Sequence, residues 1–336
     1  MAGFFVYSLI SVGVRFDRVN TDIYNNVIVA YKQISSFVRK TPFIYSPTFS
    51  NDLGCEVFFK LENLQITGSF KVRGAVNKLL SLSEEEKSKG VISASTGNHG
   101  AAVAYGSQKL GIPATIYVPD DASHAKLDNM KLYGANIEFY GSDCVESEKK
   151  GREDSLANSK EYISPYNDLS VIAGQGTIGL EMEQQAEDLD SVVVSVGGGG
   201  LISGVSAYLK KKNPSIRIIG CSPKNSAVMI HSMDQGKILD LESSPTLSDG
   251  TAGGVEKGSI TFNLCCGLID QTVLVEESEI IDSMVKYMSL EHQLIEGAAG
   301  TAVAALRKIK NNIKGQRVGV IICGSNISLG TLKDIL

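Results

Sequence analysis

Val192-Val193-Val194-Ser195-Val196-Gly197-Gly198-Gly199-Gly200-Leu201 joins a short run of strand-forming residues to four glycines and the start of a helix-like stretch. Apolar side chains fall on both faces of 192–196, the pattern of a central strand covered by helices on either side. Each glycine loses conformational entropy on folding, so four in a row predict a point of close backbone approach. At a helix N-terminus such N–H groups can turn inward around a phosphate. This is not the G-x-G-x-x-G fingerprint of a dinucleotide site, because the next strand end is followed by Cys221 and Ser222 and not by an acid.

Outward from that stretch, further strand-like runs occur at Glu56 to Lys60, Val91 to Ala94, Ala114 to Val118, Ile137 to Tyr140, Ile216 to Gly220 and Val318 to Ile322. They alternate with helical stretches, which predicts a doubly wound α/β protein with mostly parallel sheets. A chain of 336 residues is long enough for two lobes. The expected division is an extension at 1–16, a large lobe from 17–84 with 167–336, and a small lobe at 85–166 inserted between its two parts. Ser83 to Glu86 has the spacing of a capping box opening an exposed helix.

The net charge of -5 gives no footprint for a polyanion, so no nucleic-acid partner is expected. Lys210-Lys211-Lys212 reads as a solvated helix end before Asn213 and Pro214. The first fourteen residues are apolar but lack a positive n-region and are shorter than the roughly 20 residues that span a bilayer, so neither a signal peptide nor a membrane partner is expected. Cysteines at 55, 144, 221, 265, 266 and 323 lack CxxC spacing and fit a reducing, cytoplasmic compartment.

Three other segments place reactive groups at strand ends or helix starts, where ligands of α/β sheets bind. In Thr67-Gly68-Ser69-Phe70-Lys71-Val72-Arg73-Gly74-Ala75, burial of Lys71 beside Phe70 would lower its pKa and leave the neutral amine a Schiff base requires. Taken alone, such a lysine is ordinarily a surface charge. Ser95-Thr96-Gly97-Asn98-His99-Gly100 follows a strand and opens a helix, gathering N–H groups, hydroxyls and an amide suited to a carboxylate or ring oxygen. A capped turn in which Asn98 and His99 satisfy local backbone is the alternative. Cys323-Gly324-Ser325-Asn326 again follows a buried-type strand, where a thiol by itself is ordinarily a small core residue.

In this order the segments resemble the fold-type II pyridoxal-phosphate enzymes, the tryptophan synthase β-like fold, and most closely the branch of threonine and serine dehydratases and serine racemase. The resemblance runs from Lys60-Leu61-Glu62-Asn63 through the Lys71 and Asn98 segments, Ala173-Gly174-Gln175-Gly176-Thr177 and the glycine run to Cys323-Gly324. It implies that Lys71 carries pyridoxal 5'-phosphate as a Schiff base and later removes the α-proton. It implies that Phe70 packs near the ring, Asn98 bonds the ring hydroxyl oxygen, and Gly197, Gly198, Gly199, Gly200 and Leu201 hold the phosphate. Ser95, Thr96, Asn98 and His99 would line the substrate side, and Cys323 would face the pyridine nitrogen. The implied activity is a dehydratase, or ammonia-lyase, turning L-threonine or L-serine into a 2-oxo acid and ammonia, with a homodimer as the assembly. Serine racemase, 3-hydroxyaspartate dehydratase and a catalytically weak cofactor-binding sensor are the alternatives.

Three departures matter. Thr96 stands where serine racemase has the serine that reprotonates the opposite face, and its methyl restricts rotation, so elimination is expected to outrun racemisation. The chain ends soon after the Cys323 segment, which predicts no C-terminal regulatory domain. Ser222 and Val228 stand where serine racemase has acids of its cation site, so no metal is expected.

Overall fold

The computed structural model describes residues 3–120, 122 and 124–336. Residues 1 and 2 of the expected extension lie outside the described residues, and the rest of it belongs to a helix over Gly3–Ile34. The strands are β1 (Phe43–Tyr45), β2 (Glu56–Leu61), β3 (Val91–Ala94), β4 (Ala114–Val118), β5 (Asn136–Phe139), β6 (Glu161–Tyr162), β7 (Ser191–Ser195), β8 (Arg217–Pro223), β9 (Gln271–Val275) and β10 (Arg317–Ile322). They form two sheets, one ordered β1-β2-β10-β7-β8-β9 and the other β5-β4-β3-β6. Only the β1–β2 pairing is antiparallel.

Every strand anticipated from sequence occurs, β3 and β4 with the expected ends and the others with ends displaced. The largest displacement is at β8, which runs on to Pro223 because Ser222 and Pro223 still pair with Leu274 and Val275 of β9. The sequence reading passed over β1, β6 and β9. The first two are too short to show periodicity, whereas Thr272-Val273-Leu274-Val275 does carry strand character. The capping box forms as expected: Ser83 and Glu86 exchange hydrogen bonds at the start of the helix Glu84–Lys89, none of whose residues is buried. The lysines at 210–212 close the helix Gly200–Lys212, where Lys210 pairs with Asp270 and Lys212 with Glu183.

The large sheet is buried from both sides. Its inner strand β7 exposes none of its five residues. On one face the helices Leu169–Gln185 and Gly200–Lys212 cross at glycines, since a Cβ at Gly204 would lie 2.1 Å from the Ile172 carbonyl and one at Gly176 2.8 Å from the Gly204 carbonyl. The backbones touch there because neither glycine carries a side chain.

A buried ion cluster fixes the first turn of the helix Lys71–Ser81. Arg73 donates from Nε and Nη2 to Glu62 at 2.8 Å each, and from Nη1 and Nη2 to Glu181 at 2.7 and 2.9 Å. Lys60 Nζ donates to Glu181 at 2.6 Å and to the Thr41 carbonyl at 2.7 Å. Burial alone would raise the Glu62 pKa, but the Arg73 guanidinium and the Lys60 ammonium hold it below the usual value. All four charged groups are paired, as buried charges must be.

Candidate active site

One pocket collects the segments singled out in the sequence. Its lining includes Phe70, Lys71, Asn98, Gly197, Gly198, Gly199, Gly200, Leu201 and Cys323. Lys71 opens its helix and donates from Nζ to the Pro165 carbonyl at 3.0 Å, 5.3 Å from the Phe70 ring centroid. Burial pushes its amine down to about 8, while Cys323 and Glu296 pull it back up. A substantial neutral fraction near neutrality is the condition for nucleophilic attack on an aldehyde.

The glycine run makes a cradle that no side chain could share. A Cβ at Gly197 would lie 2.8 Å from the Thr251 carbonyl, one at Gly198 2.3 Å from the Tyr166 ring, and one at Gly199 2.7 Å from Cys265 Sγ. Gly199 also has φ of +83°, a conformation glycine adopts without strain. The helix Gly200–Lys212 starts without a side-chain cap, so its first N–H groups are available to an anion. This cradle, facing a lysine of lowered pKa and a thiol, fits an aldehyde cofactor bearing a phosphate.

Cys323 directly follows β10 and is buried. Burial first, then the Glu296 carboxylate, holds its thiol well above the usual range, so it presents a neutral S–H. Its carbonyl accepts from the Phe70 N–H at 3.0 Å, which joins the end of β10 to the Lys71 segment.

Not every expected residue reaches the pocket. Ser95, Thr96 and His99 are not among its lining residues. The His99 ring is buried with Nε2 2.8 Å from the Ile163 carbonyl, and burial and the Lys71 charge push its pKa down to about 3. Ser95 Oγ accepts from the Gly97 N–H at 3.2 Å and so shapes its own turn.

Sequence reading missed Glu296, Tyr166 and Pro165, all of which line the pocket. Glu296 is buried, accepts from Asn98 Nδ2 at 2.9 and 3.1 Å, and takes the Asn326 N–H at 3.0 Å. Burial pushes its carboxyl up to about 7, opposed by the Asn98 amide. Asn326 Nδ2 donates to Asn98 Oδ1 at 2.6 Å, which fixes which way that amide points. A lone acid within the apolar, small-residue run Leu294-Ile295-Glu296-Gly297-Ala298-Ala299 was the available signal.

The end of β8 and the start of the helix Val228–Gln235 are tightly engaged. Ser222 Oγ donates to the Val196 carbonyl at 2.7 Å, and Val228 is buried. Among the described residues there is no cluster of three or more His, Cys, Asp or Glu that could hold a metal ion, and no helix is long and apolar enough to cross a membrane.

Sheet order, lysine and glycine cradle define a fold-type II α/β enzyme that uses an aldehyde cofactor. A family profile described as pyridoxal-phosphate dependent enzyme matches residues 34–324, and the chain belongs to that family. It is 41% identical to an L-threonine ammonia-lyase of Thermotoga maritima, over 91% of this chain and 76% of that protein. It is 37% identical to a catabolic L-threonine dehydratase of Escherichia coli, over 93% of this chain and 95% of that one. The solved structure of maize serine racemase superposes with a TM-score of 0.88 at 34% identity, covering 93% of this chain and 95% of that one.

Proposed function

We propose that this chain is an ammonia-lyase that converts L-threonine or L-serine into a 2-oxo acid and ammonia. The observation that carries the reading is the Lys71 amine, lowered to about 8, set between the glycine cradle and the neutral Cys323 thiol. The chain's likeness to an L-threonine ammonia-lyase and to a catabolic L-threonine dehydratase supports it.

The roles follow from what each group can do. The backbone of Gly197 to Gly200, with Leu201, would hold the phosphate, and Phe70 would pack beside the ring. Two carboxylate oxygens can share one Asn98 N–H, which leaves its other N–H for the ring hydroxyl oxygen. Lys71 would carry the cofactor and, once freed, take the α-proton at Nζ. Bound pyridoxal phosphate supplies an electron sink for the pair left by that proton. Cys323 offers no carboxylate to hold a proton on the ring nitrogen, so the sink is weak, and a leaving hydroxide relieves the need for a strong one. The main chain of Ser95 to His99 would bind the substrate carboxylate, with the His99 ring acting only as an anchor.

Serine racemase is the second reading, favoured by the fold match. Thr96 stands where serine racemase has a serine, and its β-methyl restricts rotation of the hydroxyl, which argues for elimination. Incubating the holoenzyme with L-threonine, L-serine and 3-hydroxyaspartate and measuring 2-oxo acid and D-isomer separates them. The 2-oxo acid is expected to form about tenfold faster or more, a difference of roughly 1.4 kcal/mol in barrier. D-serine accumulating faster than pyruvate would replace this reading with the racemase.

A further inference from the structure

The segment Pro165-Tyr166-Asn167 touches both halves of the pocket. The Pro165 carbonyl accepts from Lys71, and the Tyr166 ring stands where a Cβ at Gly198 would be, with its own Cα 2.9 Å from a Cβ at Gly200. The segment lies between β6 and the helix Leu169–Gln185 and belongs to neither. Ser164 Oγ takes the Asn167 N–H at 3.0 Å, and the remaining contacts of Tyr166 and Asn167 meet at and around Glu256.

The Glu256 N–H donates to Tyr166 Oη at 3.0 Å. Its Oε2 accepts from Asn167 Nδ2 at 2.9 Å, and Asn167 Oδ1 takes the Ile260 N–H at 3.0 Å. Glu256 Oε1 accepts from Arg152 Nη2 at 2.6 Å. Arg152 belongs to the helix Cys144–Ala157, which packs on β3 of the four-stranded sheet. That guanidinium is further pinned by Glu148 at 2.8 Å and lies 4.3 Å from the Tyr162 ring centroid. An unbroken chain of contacts thus runs from a helix on the smaller sheet to the wall of the glycine cradle.

We infer that Glu256 and Arg152 are positioning residues for the cofactor phosphate, their side chains acting through Asn167, whose neighbour Tyr166 is held by the Glu256 main-chain N–H. The inference rests on the cofactor placement above. Both side chains keep partial contact with water, 38% exposed for Arg152 and 24% for Glu256, so the pair adds little to global stability. Its loss should appear in the site and not in the melting temperature.

The test uses wild type, Glu256→Ala, Glu256→Gln and Arg152→Met, each stripped of cofactor and titrated with pyridoxal 5'-phosphate or with pyridoxal, which lacks the phosphate. Visible absorbance reports capture at Lys71. Glu256→Ala and Arg152→Met are expected to weaken pyridoxal phosphate about tenfold and pyridoxal less than about twofold. Glu256→Gln keeps an acceptor for Asn167 and should fall between wild type and Glu256→Ala. Equal weakening of both ligands would show a merely structural role, and unchanged affinities would remove the role altogether. Should Glu256→Ala fail to fold, the other two variants decide on the same readout. A wild-type protein that captures no pyridoxal phosphate would instead sink the cofactor placement itself.

Discussion

Lys71 has its amine in a wall that lowers its pKa to about 8, mainly through burial. The sign of the consequence is fixed: below that value the amine holds a proton and cannot attack an aldehyde, and above it the lone pair is free. Cofactor capture by the stripped protein should therefore accelerate about tenfold per pH unit up to about 8 and then level off. Stopped-flow absorbance checks this, and a rate still climbing toward pH 10 would mark an ordinary surface lysine. Lys71→Ala should show no visible absorbance from captured cofactor. At this scale the sequence was legible where the site is built from contiguous segments: Lys71 with Phe70, the glycine run and Cys323 all meet in one pocket. Glu296 was not legible because its partner Asn98 stands 198 residues earlier in the chain. The His99 ring was not legible either, because its Nε2 is held by the Ile163 carbonyl, 64 residues later in the chain.

Among the elements, the helices Leu169–Gln185 and Gly200–Lys212 depend on their glycine crossing. Gly204→Ala gains helix propensity of up to ~1 kcal/mol. It also drives a methyl to 2.1 Å from the Ile172 carbonyl, a backbone atom that cannot swing aside. The expected net result is a loss of about 1–3 kcal/mol, read from the midpoint of urea unfolding. An unchanged midpoint would mean the helices can part without loss. Buried strands were easy to read because continuous β-branched runs such as Val192 to Val194 have few alternatives. Short edge pieces such as β6, with two residues, offer no period to detect.

Across the whole molecule, the ion cluster of Lys60, Glu62, Arg73 and Glu181 ties three distant stretches of chain behind the Lys71 helix. Arg73→Met would leave two buried carboxylates facing one lysine, and the expected loss is about 3–5 kcal/mol. Equilibrium unfolding of the holoenzyme at neutral pH tests it, and a loss under about 1 kcal/mol would show that water or a neighbour replaces the guanidinium. Sequence showed Lys60, Glu62 and Arg73 only as members of two quoted segments and nothing of their pairing, because Glu181 comes from a helix more than a hundred residues after Arg73.

The order of strands in the larger sheet also sets a timetable for synthesis. β10 is the last strand made, yet it lies between β2 and β7, which do not pair with each other. Until β10 is in place the sheet is two unjoined halves, one followed by the lysine and the other by the glycine run. The smaller sheet, continuous from β3 to β6, has no such dependence and can close early on the emerging chain. Cofactor capture must wait until β10 has taken its place between β2 and β7, because Lys71 and the glycine run face one pocket only across that strand.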